Sequence, residues 1–74
     1  MPNYNNLSGK SNVRFFEIKG TGIIVTFIDN KSYLYSYSSA GRGHVEMMKQ
    51  MAIKGIGLNS YINLHVRHKF ESKW

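Results

Sequence analysis

The chain has 74 residues, no cysteine and a formal net charge of +6, from 10 Lys and Arg against 4 Asp and Glu. This length leaves room for one small hydrophobic core and no second domain. The lack of cysteine excludes disulfides, thiol nucleophiles and cysteine-ligated zinc, and it favours a reducing compartment, so we predict a cytoplasmic protein.

The first twelve residues are rich in Asn and Ser and show no hydrophobic periodicity. We predict a flexible N-terminal arm over residues 1–12, followed by a single domain over 13–74. We expect no signal peptide, because the arm has no apolar core segment. No apolar run approaches the ~20 residues of a membrane span, so no membrane contact is predicted.

Three strand-like segments come next. Residues 13–19 (VRFFEIK) are β-branched and aromatic, residues 23–28 (IIVTFI) are the most apolar, and residues 32–38 (SYLYSYS) alternate strictly. Such patterns predict strands, with 23–28 in the centre. The connections at 20–22 and 29–31 are short, with glycines that tolerate positive φ in the first and Asp and Asn in the second. Because the connections are short, the three strands are predicted to form an antiparallel β-meander.

The hydrophobic period becomes helical after residue 43. Apolar residues recur at helical spacing: Val45, Met48 and Ala52. They predict a helix over 44–54, with Glu46 in its first turn and Gly55 ending it in the left-handed conformation.

A second helix is predicted over 61–70 from an apolar stripe with a spacing of four: Leu58, Ile62 and Val66. Ile62, Leu64 and Val66 also alternate, so a strand within 58–70 is the alternative. The predicted fold is α+β: a three-stranded antiparallel β-meander followed by two short α-helices packed on one face. The predicted core residues are Phe16, Ile18, Val25, Phe27, Val45, Met48, Ala52, Leu58, Ile62 and Val66.

Several short motifs are spread over residues 15–70. They are the apolar strand at 23–27, the centre Tyr33-Leu34-Tyr35, and the late pattern Gly57-Leu58-Asn59-Ser60-Tyr61-Ile62 with Arg67 beyond it. Together they resemble the KTSC domain, which is named after a C-terminal extension of some lysyl-tRNA synthetases and also occurs as small free-standing bacterial proteins. The loop SSAGRG departs from the Val-Pro type of helix entry expected for that family. The synthetase context of the family implies RNA binding.

Positive charge is concentrated in the C-terminal half. Residues 41–74 have six basic and two acidic side chains, against four and two in residues 1–40. Arginine and lysine contact phosphates, asparagine contacts sugars or bases, and aromatic rings stack on splayed bases. The candidate nucleic-acid-binding residues are Tyr33, Tyr35, Arg42, Lys54, Asn63, Arg67 and Lys69. Asn59, Asn63 and Arg67 fall on one face of the predicted helix.

Each of these features has a purely structural alternative. The tyrosines Tyr33, Tyr35 and Tyr37 can pack under the helices as core, with hydroxyls at the rim. The basic residues can form an ordinary solvated face.

Catalytic and metal-binding chemistry has little support. His65 and His68 are three residues apart and His44 is a distant third, but no carboxylate is placed to complete a metal site. There is no cysteine and no plausible Ser–His–acid set, so we predict no enzyme activity and no cofactor.

The sequence therefore predicts a small, basic, non-enzymatic module that binds RNA or single-stranded nucleic acid. The alternative is a protein-interaction module, such as a regulator or inhibitor encoded by a phage or other mobile element, that uses its basic face on an acidic partner surface. The chain is expected to be a monomer or a homodimer paired through the edge strand 13–19.

Overall fold

A computed structural model describes residues 12–74, so the predicted N-terminal arm lies outside the described residues apart from Asn12. The described part contains one antiparallel sheet with the strand order β1-β2-β3-β4. Its strands are β1 (Val13–Lys19), β2 (Gly22–Phe27), β3 (Ser32–Ser36) and β4 (Ser72–Lys73). Among these residues β1 is an edge strand, which a dimer through that strand would require; the dimer itself stays a prediction.

The helical elements lie between β3 and β4. They are α1 (Tyr37–Ala40), α2 (Arg42–Lys54), α3 (Leu58–Tyr61) and a π-helical turn (Ile62–Val66) that continues α3 directly. Helix α2 packs on β2 and β3, and on α3 and the π-helical turn. The predicted α+β fold is confirmed. No helix within residues 12–74 combines the length and the apolar character needed to cross a membrane.

The third strand is shorter than predicted. The alternation of residues 32–38 predicts a strand through Tyr37, but the strand ends at Ser36 and Tyr37 begins α1. Ser36 caps this helix: its Oγ accepts from the Ser39 N–H, and the Ser39 Oγ accepts from the Ser36 N–H. This reciprocal capping satisfies two backbone donors locally and overrides the strand-like alternation.

The second predicted helix begins earlier and ends earlier than 61–70. It starts at Leu58 after the left-handed Gly57 (φ 85°), and the π-helical turn ends at Val66. The strand alternative for this segment is wrong. A strand nevertheless forms later, because Trp74 exchanges two backbone hydrogen bonds with Ser32, at 2.8 and 2.9 Å. A strand of two residues has no periodicity, so the sequence does not show it.

The two β-turns differ in how far they follow prediction. Asn30 is left-handed (φ 68°), and Asp29 Oδ1 accepts from the Lys31 N–H at 3.1 Å, as expected for this turn chemistry. Neither glycine of the 20–22 turn adopts the positive φ that glycine tolerates. Gly22 is required for space instead, because a Cβ there would lie 2.6 Å from the Tyr35 carbonyl oxygen.

The core lies between the sheet and the helices. It comprises Val13, Phe16, Ile23, Val25, Tyr35, Ala40, Val45, Met48, Ala52, Leu58, Ile62 and Val66. The prediction was wrong at Ile18, which is 41% exposed, and too strong at Phe27, which is half-buried. Ile18 lies near the end of an edge strand, whereas α2 packs mainly on β2 and β3. The prediction missed Ile23 and Tyr35, both almost fully buried.

Candidate nucleic-acid interface

A cleft of about 450 Å³ lies between the sheet and the helical segment formed by α3 and the π-helical turn. From the strands and the segments beside them it is lined by Phe27, Tyr33, Tyr35, Phe70 and Lys73, and from the helical side by Asn59, Asn63, Arg67 and His68. This volume is within the range of small-ligand pockets, about 300–1,000 Å³. We call this region the cleft.

The floor of the cleft is aromatic. The half-buried ring of Tyr33 meets Phe27 and Phe70 edge-on, with centroid distances of 5.4 and 5.2 Å, and runs nearly parallel to Tyr35 at 6.4 Å. Edge-on and offset arrangements are the preferred geometries for aromatic pairs. These contacts hold the Tyr33 ring in place, so its accessible part is presented to the cleft in a fixed orientation.

Tyr35 is part of the core and not a stacking platform. Its side chain is only 1% exposed, so the predicted stacking of a base on this ring is wrong and the core interpretation is correct for this residue. Burial, with a smaller contribution from Tyr33, raises the pKa of the Tyr35 hydroxyl to about 12. Tyr35 still lines the cleft, and its hydroxyl has no hydrogen-bond partner among residues 12–74. Since no fully buried side-chain oxygen of these residues lacks a partner, the hydroxyl keeps a small accessible surface.

The helical wall confirms the prediction that Asn59, Asn63 and Arg67 share a face, since all three line the cleft. Arg67 is exposed and makes no ion pair, hydrogen bond or ring contact in the part of the chain that the structure describes. The wall includes the π-helical turn, and single π-turns occur frequently at functional sites. The wall therefore presents two amides and a guanidinium to a ligand.

Two exposed charged residues, Lys73 and Asp29, also line the cleft. The Lys73 ammonium lies 5.7 Å from the centroid of the Phe70 ring, which places a second cation beside the aromatic floor. Asp29 contributes a carboxylate to the lining, although one of its oxygens already accepts from the Lys31 backbone. Lys73 and Phe70 were not predicted, because their position depends on the pairing of β4 with β3.

Three predicted site residues lie elsewhere. Arg42, Lys54 and Lys69 do not line the cleft. The Arg42 guanidinium lies over the Tyr37 ring at 5.9 Å, Lys54 is exposed in the last turn of α2, and Lys69 is exposed after the π-helical turn. Of the predicted set, the structure brings together Tyr33, Tyr35, Asn63 and Arg67.

A second group of polar residues, which we call the α2 cluster, consists of Tyr37, Arg42, Glu46 and Lys49. The Tyr37 hydroxyl donates to Glu46 Oε2 at 2.6 Å, and the Lys49 ammonium is 3.0 Å from the same oxygen. Both contacts lower the pKa of the Glu46 carboxyl, and the hydrogen bond from Tyr37 has the larger effect. Glu46 lies in the second turn of α2 and not in the first as predicted, because the helix already begins at Arg42.

The histidines separate into two places. His44 Nδ1 is 2.7 Å from the Tyr61 hydroxyl, and the His44 ring stacks on His65 with centroids 5.5 Å apart. His68 lines the cleft instead. Within residues 12–74, no group of three or more His, Asp or Glu side chains is arranged to hold a metal ion.

Comparison with known proteins gave no match: no family model, no curated protein and no solved structure matches this chain. The resemblance to the KTSC domain therefore stays a prediction from short motifs.

Proposed function

We propose that this protein is a non-enzymatic binding module that holds single-stranded nucleic acid, and RNA in particular, in the cleft. The observation that carries the proposal is the convergence of an aromatic floor, two unpaired amides and an unpaired guanidinium on one concave surface within residues 12–74. Single-stranded RNA is recognised by this combination of aromatic, amide and cationic groups.

Each group has a role that follows from its chemistry. Arg67 and Lys73 would contact phosphates, because both are exposed cations at the rim. Asn59 and Asn63 would hydrogen-bond a sugar or a base. Tyr33 and Phe70 would give apolar contact to a base through the accessible parts of their rings.

The size of the cleft favours an unpaired strand. A volume of about 450 Å³ accommodates a group the size of a nucleotide, whereas the bases of a duplex are stacked and paired and do not enter such a space. The net charge of +6 attracts the strand over a longer range and adds a salt-sensitive contribution to affinity. We place the binding in the cytoplasm, in agreement with the cysteine-free composition.

The test is fluorescence anisotropy of a labelled single-stranded RNA titrated with the protein at two salt concentrations. We expect micromolar binding, with log K falling by about 0.7 per phosphate contact for each unit of log salt. A DNA strand of the same sequence and an RNA duplex of the same length are measured in parallel. Tighter binding of RNA than of DNA supports RNA as the ligand, and the duplex should bind most weakly.

A matched pair of variants locates the interface. Arg67→Gln and Lys54→Gln each remove one exposed positive charge, but only Arg67 lines the cleft. We expect about a tenfold loss of affinity in Arg67→Gln and about twofold or less in Lys54→Gln. Equal losses would show binding by net charge alone. No binding at low salt would contradict the proposal and favour an acidic protein partner as the ligand of the basic surface.

A further inference from the structure

Tyr35 is the most buried of the polar residues that line the cleft. The side chain is 1% exposed, and its hydroxyl has no hydrogen-bond partner among residues 12–74. No fully buried side-chain oxygen of these residues lacks a partner, so the small exposed part of Tyr35 includes its hydroxyl. A ligand that covers this hydroxyl takes it out of contact with solvent, and a polar group buried without a hydrogen-bond partner costs free energy. A ligand that enters the cleft is therefore favoured if it brings a hydrogen-bonding atom to this floor.

The cleft also contains two side-chain amides. Asn59 and Asn63 line the same cleft, and neither side chain has a hydrogen-bond partner in the described part of the chain. An amide offers a donor and an acceptor side by side, as the edge of a nucleic-acid base does. With Tyr35, the cleft presents three neutral hydrogen-bonding groups.

The distribution of charge orients the ligand. Both cations of the cleft, Arg67 and Lys73, are exposed, as is Asn63. The more buried lining groups are neutral: the half-buried Asn59, Tyr33 and Phe70, and the buried Tyr35. An ionised phosphate at the floor would lose its hydration without meeting a cation, which is unfavourable. The phosphate is therefore held at the rim and the base is directed inward.

We infer that the cleft takes one unpaired base edge-first, and that the Tyr35 hydroxyl and the Asn59 and Asn63 amides read its hydrogen-bonding edge. The inference rests on the proposed function and adds to it a preference among bases. Binding through phosphates and ring contacts alone tolerates every base, whereas side chains that hydrogen-bond a base edge discriminate among them.

The test compares short RNA homopolymers of A, C and U with an abasic strand of the same length, by anisotropy at one salt concentration. We expect one homopolymer to bind on the order of tenfold more tightly than the weakest, and the abasic strand to bind no better than the weakest. We call the ratio between the tightest and the weakest homopolymer affinity the spread. Tyr35→Phe and Asn63→Leu should each reduce this spread severalfold. Tyr37→Phe removes a hydroxyl that does not line the cleft and should leave the spread unchanged.

The outcomes separate this inference from the proposed function. If all strands bind equally and in a salt-dependent way, and Arg67→Gln still weakens the binding, the inference that the cleft discriminates among bases is wrong. The proposed nucleic-acid binding is then still supported. A spread that persists in both Tyr35→Phe and Asn63→Leu also overturns the inference, because the bases are then read by other groups. Absence of binding to every strand overturns the proposed function and the inference together. Thermal unfolding of each variant verifies that it is folded.

Discussion

The cleft and the α2 cluster are made from the same kinds of residues but differ in what their polar groups contact. In the α2 cluster, the Tyr37 hydroxyl and the Lys49 ammonium both bind Glu46. In the cleft, the Tyr35 hydroxyl and the Arg67 guanidinium have no partner within residues 12–74. Tyrosine and positive charge in a sequence therefore do not by themselves identify a binding surface; their internal partners do.

The difference follows from where the residues are placed. Tyr37, Glu46 and Lys49 lie close in sequence, on α1 and one face of α2, so their side chains reach each other. The cleft groups come from the paired strands β3 and β4 on one side and from α3 and the π-helical turn on the other, and the cleft of about 450 Å³ lies between the two sides. A ligand can bridge that space, whereas the α2 cluster is already closed by its own contacts.

The largest expected effect concerns the buried tyrosine of the cleft at alkaline pH. The Tyr35 pKa is raised from 10.0 to about 12, so the unfolded chain ionises this group before the folded protein does. The contribution to stability is fully present below pH 10 and is lost as pH rises toward 12, by roughly 2–3 kcal/mol. Urea unfolding across this pH range should show the loss in the native protein and a smaller loss in Tyr35→Phe.

The phenolate absorbance gives an independent reading of the same group. In the folded protein, the ionisation of Tyr35 should appear as an absorbance step near its raised pKa of about 12. Identical titration curves of the native protein and Tyr35→Phe, after scaling for the lost ring, would contradict its burial.

The second prediction concerns Gly22, which packs against β3 between the cleft and the α2 cluster. A Cβ at Gly22 would lie 2.6 Å from the carbonyl oxygen of Tyr35, in the strand that leads from the cleft to α1. Gly22→Ala should lower the free energy of unfolding by about 1–3 kcal/mol, because the β2–β3 ladder must shift. Gly20→Ala is the control, since a Cβ there meets no atom within 4 Å. Chemical denaturation that ranks the two variants equally would be inconsistent with this packing.

The third prediction compares two hydroxyl deletions directly. Tyr37→Phe removes a hydrogen bond to the Glu46 carboxylate and should cost about 1 kcal/mol of stability at neutral pH. Tyr35→Phe removes a hydroxyl that has no partner among the described residues, so its cost should be below about 0.5 kcal/mol. Thermal or urea unfolding measures both. The opposite ranking would mean that the cleft tyrosine, and not the α2 cluster, is held by its hydroxyl.

The smallest expected effect is the acid response of the α2 cluster. The hydrogen bond from Tyr37 and the contacts with Lys49 lower the pKa of Glu46 below its usual 4.5. Because the folded pKa is the lower one, the stabilisation is present above about pH 4.5 and is lost as pH falls through the folded value. A carbon-detected NMR titration of Glu46 should show the lowered pKa, and Tyr37→Phe should bring it closer to normal. An unchanged titration in the variant would remove Tyr37 as the main cause.

Signals that act over a few residues allowed much of the fold to be predicted. The strand at β1, the left-handed Asn30 turn, the α2 stripe and the Gly55 cap (φ 79°) all depend on neighbours within one or two turns of chain. The same holds for the shared face of Asn59, Asn63 and Arg67, since helical periodicity places them together.

What the sequence determined by itself was therefore the type of each main element and the helical wall of the cleft. Only the tertiary structure decided that Tyr35 is buried while Tyr33 reaches the cleft, that Tyr37 leaves the strand for a helix, and that Lys73 arrives beside Tyr33 through β4. Strand alternation groups side chains by face but does not say how deeply each is covered or which distant segment pairs with it. Those outcomes depend on contacts between parts of the chain that are far apart in sequence, and local sequence patterns do not predict such contacts.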